Sequence, residues 1–262
     1  MMRSLYTAAT GMMAQQLNMD VISNNLANVN TTGFKRSRAD FADLYYQEEK
    51  QAGSTVAQGA QVPTGIEVGL GVRPASTETM LDQGTMQLTG NNYDIAIQGE
   101  GYYKVLLPDG TNAYSRDGSW KRDSQGKLVN SNGEALQPEI TVPTGAIGFS
   151  VGTDGTVSIT RGQGTPSEVI GKITLSRFAN TAGLTHIGSN NFSPNDASGP
   201  AIDSTPGQDG TGTLLQGSLE MSNVQIVQEM VNMITAQRAY EVNSKAIKTA
   251  DEMLSTANQL RS

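Results

Sequence analysis

The stretch SLYTAATGMMAQQLNMDVISNNLANV, residues 4–29, decides the fold because its apolar side chains recur at seven-residue spacings. The apolar positions form two rows three residues apart, with Leu5, Met12, Met19 and Leu26 in the first row and Ile22 in the second. Two such rows on one side of a helix make a heptad seam, which needs a second helix to cover it. The sequence therefore predicts an N-terminal coiled-coil helix over residues 1–33, with a left-handed cap at Gly33.

The C-terminal part of the chain carries a matching repeat. Its large apolar residues recur at every seventh position: Leu219, Ile226, Met233, Tyr240, Ile247 and Leu254. The row three residues on holds small side chains, as at Ala236 and Ala250. A seam of this kind pairs with another helix. We therefore predict a C-terminal coiled-coil helix over residues 216–262 that pairs with residues 1–33.

Between the two helices the sequence favours antiparallel β-structure. Large side chains alternate at Tyr93, Ile95 and Ile97, as on a strand with one buried face. Several pairs are typical of hairpin turns, namely Asp109-Gly110, Asp117-Gly118, Asn132-Gly133 and Asp154-Gly155. We expect one antiparallel β-domain over residues 67–215, preceded by an extended arm or linker over residues 34–66. The predicted fold class is α+β, with a β-rich central domain between paired terminal helices.

Four asparagines, Asn24, Asn25, Asn28 and Asn30, follow the N-terminal seam. They fall off its two rows, on the flanks and outer face of the predicted helix. Only Asp20 is charged between residues 4 and 34, whereas a water-facing helix normally carries Lys and Glu. A polar, uncharged solvent face is one explanation. The other is lateral packing against neighbouring subunits, because an amide donates and accepts hydrogen bonds without the desolvation cost of an ion. We expect the four amides to make such lateral contacts.

The composition argues against several classes of protein. The net charge of −7 and the pI near 4.8 disfavour nucleic acid or an anionic membrane as a partner. The chain has no cysteine, so disulfides and thiolate sites cannot form. No segment has the long apolar run of a membrane helix, and the N-terminus lacks the apolar core of a cleaved signal peptide. We expect neither membrane insertion nor nucleic-acid binding, and any export to proceed without a cleaved signal.

Residues that could support catalysis or metal binding are sparse. His186 is the only histidine, so a multi-histidine metal site cannot form. Four acidic residues in glycine-rich turns lack the spacing of a calcium loop: Asp154, Asp196, Asp203 and Asp209. Gly99 and Gly101 lack the third glycine and the following helix of a dinucleotide loop, and they favour a bulge or a tight strand bend. We expect no catalytic residue, no cofactor and no metal.

A secreted β-rich carbohydrate-active enzyme is the alternative from a different functional class. Its basis is that aromatic and acidic side chains occur together at Tyr93, Asp94, Tyr102, Tyr103 and Trp120. Such an enzyme has no need of heptad seams at both ends of the chain. Electron microscopy of concentrated protein separates the two classes, because the seams predict tubes or rings whereas an enzyme stays a monomer.

Three stretches resemble the flagellar rod and hook protein family. NNLANVNTTGFKR, from Asn24, is similar to the family's N-terminal motif, and SNVQIVQEMVNMITAQRAYEVNSKAIKTADEML, from Ser222, is similar to its C-terminal motif. DIAIQGEGYYKV, from Asp94, resembles the β-domain between them. The first helix and the segment GIEVGLGVRPASTETMLDQGTMQLTGNNYDIAI, from Gly65, are most similar to the distal rod members. The hook and junction members typically carry extra outer domains, for which this chain has no room.

The resemblance implies a structural subunit of the bacterial flagellar basal-body distal rod, which polymerises into a hollow drive shaft and transmits torque from motor to hook. The implied partners are copies of itself in a helical homo-polymer, proximal rod proteins, the hook protein, the surrounding ring (bushing) proteins and the flagellar export apparatus. The rod crosses the periplasm, and its subunits are exported without a cleaved signal peptide. The family's arm, here after Tyr46, adds contacts that stiffen the shaft. Another axial member, of the proximal rod or hook type, is the alternative within the family.

Overall fold

The structure is a computed structural model that describes residues 2–51, 55–57, 60–61, 63–162 and 166–259. The chain divides into two compact units. The first, here called the helical unit, comprises residues 1–26, 37–78 and 225–262. The second, the β unit, comprises residues 27–36 and 79–224. Each unit therefore draws on segments that are distant in sequence, and the fold class is α+β with N- and C-terminal helices and a β-rich middle.

Two long helices dominate the helical unit. Helix α1 spans Met2–Ala27 and α2 spans Ile226–Gln259. Neither contains a proline, and Glu229 in the first turn of α2 places a negative charge where the helix dipole favours one. Helix α1 ends earlier than the predicted residue 33. Gly33 does adopt the left-handed conformation, with φ of +68°, but in the loop that follows the helix. Within the described residues, no helix combines the length and the hydropathy of a membrane span.

Where it is described, the helical unit also contains six strands. In chain order they are β1 (Ser37–Asp43), β2 (Tyr46–Lys50), β3 (Thr55–Ala57), β4 (Ala60–Gln61), β5 (Ile66–Gly69) and β6 (Val72–Thr79). They form three two-stranded ribbons, β1 with β6, β2 with β5 and β3 with β4. The predicted arm over residues 34–66 is thus largely paired strand where it is described. Residues 52–54, 58–59 and 62 of that arm lie outside the described residues.

The described residues of the β unit form sixteen strands and one short 3-10 helix, Thr181–Gly183. The strands are β7 (Met86–Leu88), β8 (Ile95–Gln98), β9 (Tyr103–Leu106), β10 (Asn112–Ser115), β11 (Lys121–Arg122), β12 (Leu128–Val129), β13 (Ala135–Gln137), β14 (Gly148–Val151), β15 (Thr156–Thr160), β16 (Glu168–Lys172), β17 (Leu175–Arg177), β18 (Thr185–Gly188), β19 (Asn191–Ser193), β20 (Ile202–Ser204), β21 (Thr213–Gln216) and β22 (Ser218–Glu220). A seven-stranded sheet has the order β11-β12-β13-β9-β10-β19-β18, and a three-stranded sheet has the order β14-β15-β16. The remaining strands pair as β17 with β20, β21 with β8 and β22 with β7. Among the described residues, every strand pairing in this unit is antiparallel, as the sequence predicts.

Aromatic and branched side chains fill the core of the β unit. The Trp120 and Tyr103 rings meet edge to face, with centroids 5.3 Å apart, and both are buried. The Tyr103 hydroxyl donates to the Ile95 carbonyl at 2.7 Å. Ile95 and Ile97 are buried, but so is Ala96 between them, so the strand is covered on both faces and its burial does not alternate as predicted. Tyr102, Tyr103 and Trp120 are therefore core residues and offer no exposed platform on which a sugar could stack, contrary to the enzyme alternative.

Three of the four predicted glycine turns have the expected conformation. Gly110, Gly133 and Gly155 have φ of +82°, +85° and +84°. Gly118 is different, because it is not among the residues with positive φ and a Cβ there would lie 1.9 Å from the Ile95 carbonyl oxygen. The Asp117-Gly118 pair therefore serves a close backbone approach that no larger residue allows.

The C-terminal helix begins ten residues later than predicted. Residues 216–225 include the end of β21 and the whole of β22, in which Leu219 pairs with Gln87. Leu219 is therefore not part of a helical seam. In β22 burial alternates, with Ser218 and Glu220 buried and Leu219 half-buried, so the local period is two. The seven-residue distance from Leu219 to Ile226 joins a strand to a helix by coincidence.

Candidate assembly surface

The buried side of α1 overlaps the predicted rows only in part. Ile22 is buried, and Leu5, Met12, Met19 and Leu26 are half-buried. Ala8 in the second row and Ala14 beside the rows are also buried. The remaining exposure of the large side chains shows that the first row lies at the margin of the covered stripe, whose centre runs through smaller residues.

The residues of the predicted α2 rows differ in their exposure. Met233, Ile247 and Leu254 are half-buried, and Ala236 and Ala250 of the small row are buried. Ile226 and Tyr240 are instead exposed, at 48% and 38%. Ile226 is the first residue of the helix, and Glu229 rather than an apolar residue starts the covered stripe. The small row thus marks the centre of the stripe, and the large residues flank it.

The contacts between the described residues of α1 and α2 include a hydrogen bond and a close approach. The Asn25 side-chain amide donates to the Glu229 carboxylate at 3.3 Å. Near the other end, a Cβ built on Gly11 would lie 2.8 Å from Nδ2 of Asn243. The two contact positions are fourteen residues apart on each helix. The contact nearer the start of α1 lies nearer the end of α2, so the two helices are antiparallel there. Two heptads therefore separate the contacts on both helices.

Asn25 is the most constrained of the four asparagines. Its Nδ2 donates to the Ser37 carbonyl at 2.8 Å, and its Oδ1 accepts from the Ser37 backbone N–H at 2.9 Å. With the Glu229 contact, both ends of the amide are occupied within the helical unit, and Asn25 is only 1% exposed. The predicted position of Asn25 on the outer face is wrong. Asn25 lies seven residues after Asn18 and fourteen after Gly11, and these three residues form a row beside the seam. That row is the sequence signal that could have predicted the burial of Asn25.

The other three asparagines are more accessible. Asn24 and Asn30 are exposed, and Asn28 is half-buried. The Asn28 side-chain oxygen accepts from the Thr31 hydroxyl at 3.1 Å, in the turn that follows α1. Asn28 and Asn30 lie beyond the end of the helix, so only Asn24 presents its amide from a helical surface. Lateral contacts by these three residues stay a prediction.

A buried cluster of three charges lies in the β unit. Oε1 of Glu220 accepts from Lys35 Nζ at 2.5 Å and from the Gly84 backbone N–H at 2.9 Å. Its Oε2 accepts from Arg116 Nε at 2.9 Å. The side chains of Lys35 and Glu220 are fully buried, and that of Arg116 is 5% exposed. A single carboxylate therefore links strand β22 to the loop after α1 and to the loop after β10.

The remaining donors of this cluster are also satisfied. Lys35 Nζ donates to the Asp82 carbonyl at 2.8 Å, and Arg116 donates through a terminal nitrogen to the Gly99 carbonyl at 2.7 Å. Burial, reinforced by the Arg116 charge, lowers the pKa of Lys35, while Glu220 acts in the opposite direction. From the sequence alone Lys35 appears only as part of a short basic cluster. Nothing in the sequence pattern connects it with Arg116 or Glu220, so the sequence reasoning missed this cluster.

The groups considered for catalysis or metal binding are not brought together. His186 Nε2 lies 3.0 Å from the Thr79 hydroxyl, and burial lowers the pKa of its ring. Asp154 bonds the Thr156 hydroxyl and backbone N–H in its own turn, and Asp203 accepts from Ser176 and Lys104. Within the part of the chain that the structure describes, no group of His, Asp and Glu side chains has the arrangement of a metal site. Gly99 and Gly101 have positive φ between β8 and β9, as expected of a tight bend.

Models of three protein families match successive parts of the chain. The family of flagella basal body rod proteins matches residues 5–35, which include most of α1. The D1 domain of the flagellar hook proteins FlgE/F/G matches residues 96–159 in the β unit. The C-terminal region of the flagellar basal body rod FlgEFG proteins matches residues 215–260, which include α2. The three matched segments therefore lie in α1 with the loop after it, in the β unit, and in α2 with the strand residues before it.

Full-length relatives agree with these matches. The flagellar basal-body rod protein FlgG of Borreliella burgdorferi is 51% identical, over 100% of this chain and 99% of its own length. The proteins of the same name from Buchnera aphidicola (subspecies Schizaphis graminum) and Caulobacter vibrioides are 50% and 48% identical, over 99% and 100% of this chain and the whole of their own lengths. Since identity at this level extends along the whole chain, the protein belongs to the flagellar basal-body rod protein family.

Proposed function

We propose that this chain polymerises through its paired terminal helices into a hollow helical shaft that transmits torque from the flagellar motor to the hook. The chain is a structural subunit of the flagellar basal-body distal rod, as its full-length relatives at 44–51% identity support. Those relatives are structural proteins and not enzymes. The proposal adds how the subunit works, namely through α1 and α2 as one antiparallel coiled coil that forms the inner layer of a tube.

The observation that carries the proposal is the constant register between α1 and α2. The Asn25 contact with Glu229 and the Gly11 approach to Asn243 support an antiparallel alignment over two heptads. Continued by one heptad, the same alignment sets Ser4 opposite Ala250, and midway it sets Asn18 opposite Ala236. Outside the polar contact, each larger residue then faces a smaller one, which permits the close approach of two helix backbones.

Lateral packing of the coiled coils would follow from the unusual surface of α1. Asn24, Asn28 and Asn30 supply amides for hydrogen bonds between subunits, and Asp20 is the single charge between residues 4 and 34. The arm after Tyr46 adds a second set of contacts. Strand β2 is exposed along its whole length, so an isolated ribbon of β2 and β5 gains stability by packing against a neighbour.

The remaining partners follow from the position of a distal rod. The subunit contacts proximal rod proteins at one end of the shaft, the hook protein at the other and the surrounding ring (bushing) proteins at its side. It reaches the growing tip through the flagellar export apparatus without a cleaved signal peptide, and the shaft crosses the periplasm.

Assembly of purified protein tests the proposal. We expect concentrated wild-type protein to form tubes or rings in electron micrographs and fast-sedimenting material in the ultracentrifuge. Ile247→Asp places a charge in the half-buried seam and should abolish both, because an unpaired charge in an apolar contact costs several kcal/mol, about 3–5. Thr249→Asp, two residues away on the exposed side of α2, is the matched control and should assemble normally.

The β unit provides an internal check on folding. Trp120 is the only tryptophan and lies in the core of that unit, so its fluorescence reports thermal unfolding independently of assembly. Ile247→Asp should leave this transition unchanged. Normal tubes from Ile247→Asp would refute the seam, and a wild-type protein that stays monomeric at all concentrations would refute the proposed function.

A further inference from the structure

A cavity opens at one end of the β9–β10 hairpin in the β unit. Its walls include Gly101 and Tyr102 before β9, Arg116 after β10, and Arg177 and Phe178 at the end of β17. Its volume is about 320 Å³. Ligand pockets in proteins measure roughly 300–1,000 Å³, so this one suits a side chain or a tight turn rather than a large cofactor. We call it the arginine cavity.

The arginine cavity combines aromatic rings with guanidinium groups. The Tyr102 and Phe178 rings meet edge to face, with centroids 5.8 Å apart, and the guanidinium carbon of Arg116 lies 5.8 Å from the centroid of the Tyr102 ring. The Arg177 side chain is 38% exposed and donates to the Glu100 carboxylate at 3.1 Å. Guanidinium groups bind carboxylates through paired hydrogen bonds. This lining therefore fits a carboxylate carried on a small side chain or turn.

Arg116 belongs to the buried cluster described above, whose buried members have an excess of positive charge. Lys35 and Arg116 share the carboxylate of Glu220, and the further carboxylate that acts on Lys35 belongs to Asp82, which is exposed. Arginine carries five N–H donors, and the contacts of Arg116 with Glu220 and the Gly99 carbonyl engage two of its three nitrogens. Since buried charge is stable only when it is paired, an anion in the arginine cavity would balance this excess.

The opposite end of the same hairpin carries an exposed acidic turn, formed by Pro108, Asp109 and Gly110. The Thr111 hydroxyl and backbone N–H both donate to Asp109, which lowers the pKa of its carboxyl group and keeps it ionised at neutral pH. Tyr102 and Pro108 are six residues apart along the hairpin, so at about 3.4 Å per residue the turn lies about 20 Å from the arginine cavity. We call residues 108–110 the hairpin tip.

Among the four glycine turns predicted from the sequence, only the hairpin tip is both acidic and open. A Cβ built on Gly110 would have no described neighbour within 4 Å. The same holds for Gly133, but its partner Asn132 is uncharged. A Cβ at Gly118 or Gly155 would instead collide with a backbone carbonyl oxygen of the same unit. The hairpin tip is therefore the acidic turn that can enter a neighbouring molecule.

We propose that the hairpin tip of one subunit docks in the arginine cavity of a second copy of this chain, where Arg116 and Arg177 bind the Asp109 carboxylate. The tip and the cavity lie at opposite ends of one hairpin, so a subunit cannot fill its own cavity. The contact is heterologous and continues from copy to copy as a ring or a filament instead of closing as a dimer. This inference rests on the proposed function for its partner, and it adds a contact made by the β unit, separate from the terminal helices.

Cysteine cross-linking tests the contact directly, because the chain has no cysteine of its own. Pro108→Cys at the hairpin tip is combined with Thr181→Cys, at a position that lines the cavity. Mild oxidation of the concentrated full-length double variant should give a ladder of covalent oligomers on denaturing gels. Either single variant has one thiol per chain, so it can form at most a dimer. Asn132→Cys with Thr181→Cys places the first thiol on the open but uncharged turn and is the matched control, which should give no ladder.

A second measurement removes the charge of the tip and keeps its turn. Asp109→Asn retains an oxygen that accepts from Thr111, but it should raise the concentration needed for polymerisation by about threefold or more, because the charge-assisted hydrogen bonds to the arginines are lost. Asp123→Asn removes a charge from another exposed turn, in which the side chain accepts from Ser124, and should resemble wild type. Low salt should enlarge the difference between the two variants. Circular dichroism and Trp120 fluorescence check that all variants are folded.

The outcomes separate this contact from the proposed function. A ladder from the tip and cavity pair alone supports the docking contact. No ladder from that pair, or an equal ladder from the Asn132 control, overturns it, and so does an Asp109→Asn variant that polymerises like wild type. Cross-linking is measured in concentrated protein whether or not polymer forms. If wild type forms no polymer the proposed function fails, whereas the docking contact then fails only if the ladder is also absent.

Discussion

Glu220→Gln removes the only negative charge from the buried cluster in the β unit. The variant keeps the shape of the side chain, but Lys35 and Arg116 then lose the carboxylate that binds both, and only the weaker influence of Asp82 remains at Lys35. The Glu220 carboxylate accepts hydrogen bonds from three donors, at 2.5, 2.9 and 2.9 Å. In glutamine an NH₂ group replaces one of the two oxygens and faces at least one of these donors. Breaking a buried ion pair by removing one partner costs about 3–5 kcal/mol. That is a large part of the 5–15 kcal/mol that typically stabilises a domain.

Urea unfolding of the full chain measures this loss through Trp120 fluorescence, because Trp120 is the only tryptophan and lies in the same unit. For a unit of this size the loss corresponds to a fall in Tm of roughly 6–20 °C. Glu168→Gln is the matched control. Glu168 and Arg161 form an ion pair whose side chains are 57% and 59% exposed. Loss of this exposed pair should lower the free energy of unfolding by less than about 1 kcal/mol. A Glu220→Gln variant that loses no more than this control would refute the reasoning.

The pH dependence of the same variant gives a second check with a definite sign. Burial already lowers the pKa of Lys35 below 10.5, and Glu220 partly offsets that effect. Without Glu220 the folded-state pKa falls further, so above it the unfolded chain binds one proton more than the folded chain. The free energy of unfolding then rises with pH until Lys35 also titrates in the unfolded chain. The stability difference between wild type and Glu220→Gln should therefore narrow as the pH rises toward 10.5, and a constant difference would contradict this account.

Two further substitutions address the register of the helices. Asn25→Ala removes the amide that hydrogen-bonds to Ser37 and Glu229. Although alanine is the better helix former, the variant should destabilise the helical unit by about 1–3 kcal/mol in chemical denaturation followed by circular dichroism. Asn24→Ala, on the exposed side of α1, is the control. Gly11→Leu places a side chain at a position whose Cβ would lie 2.8 Å from Asn243, so the variant should impair polymerisation. Adding Asn243→Ala to the same chain opens the space and should restore polymerisation. If polymerisation is not restored, the two residues do not face each other in the assembly.

Repetitive patterns carried most of what could be predicted from the sequence. The helices could be predicted because apolar residues recur at the helical period, as do Met12 and Met19 in α1 and the row that contains Ile247 in α2. This spacing is a property of each helix alone and does not depend on the partner it packs against. The hairpins were visible because Gly110 and Gly133 have the positive φ that their turns demand. Local patterns of this kind depend only on neighbouring residues, so a single sequence contains them completely.

Features that depend on tertiary contacts were missed. Asn25 lies beside the seam row, yet it is buried because Ser37 returns to the end of α1 and occupies its amide. Leu219 continues a seven-residue spacing, but pairing with Gln87 places it on a strand. The cluster of Lys35, Arg116 and Glu220 joins three segments whose spacing in sequence carries no periodicity. Each of these outcomes is decided by a partner far along the chain.

The position of Glu220 has a consequence for any chain that emerges amino end first. Lys35 precedes it by 185 residues and Arg116 by 104, so both cations appear long before their counter-ion. Until then each keeps its water, because an unpaired charge is costly to bury. The β unit therefore closes only once its last strand is present. Under the proposed export through the flagellar apparatus, one late acidic residue would set the moment at which folding becomes favourable.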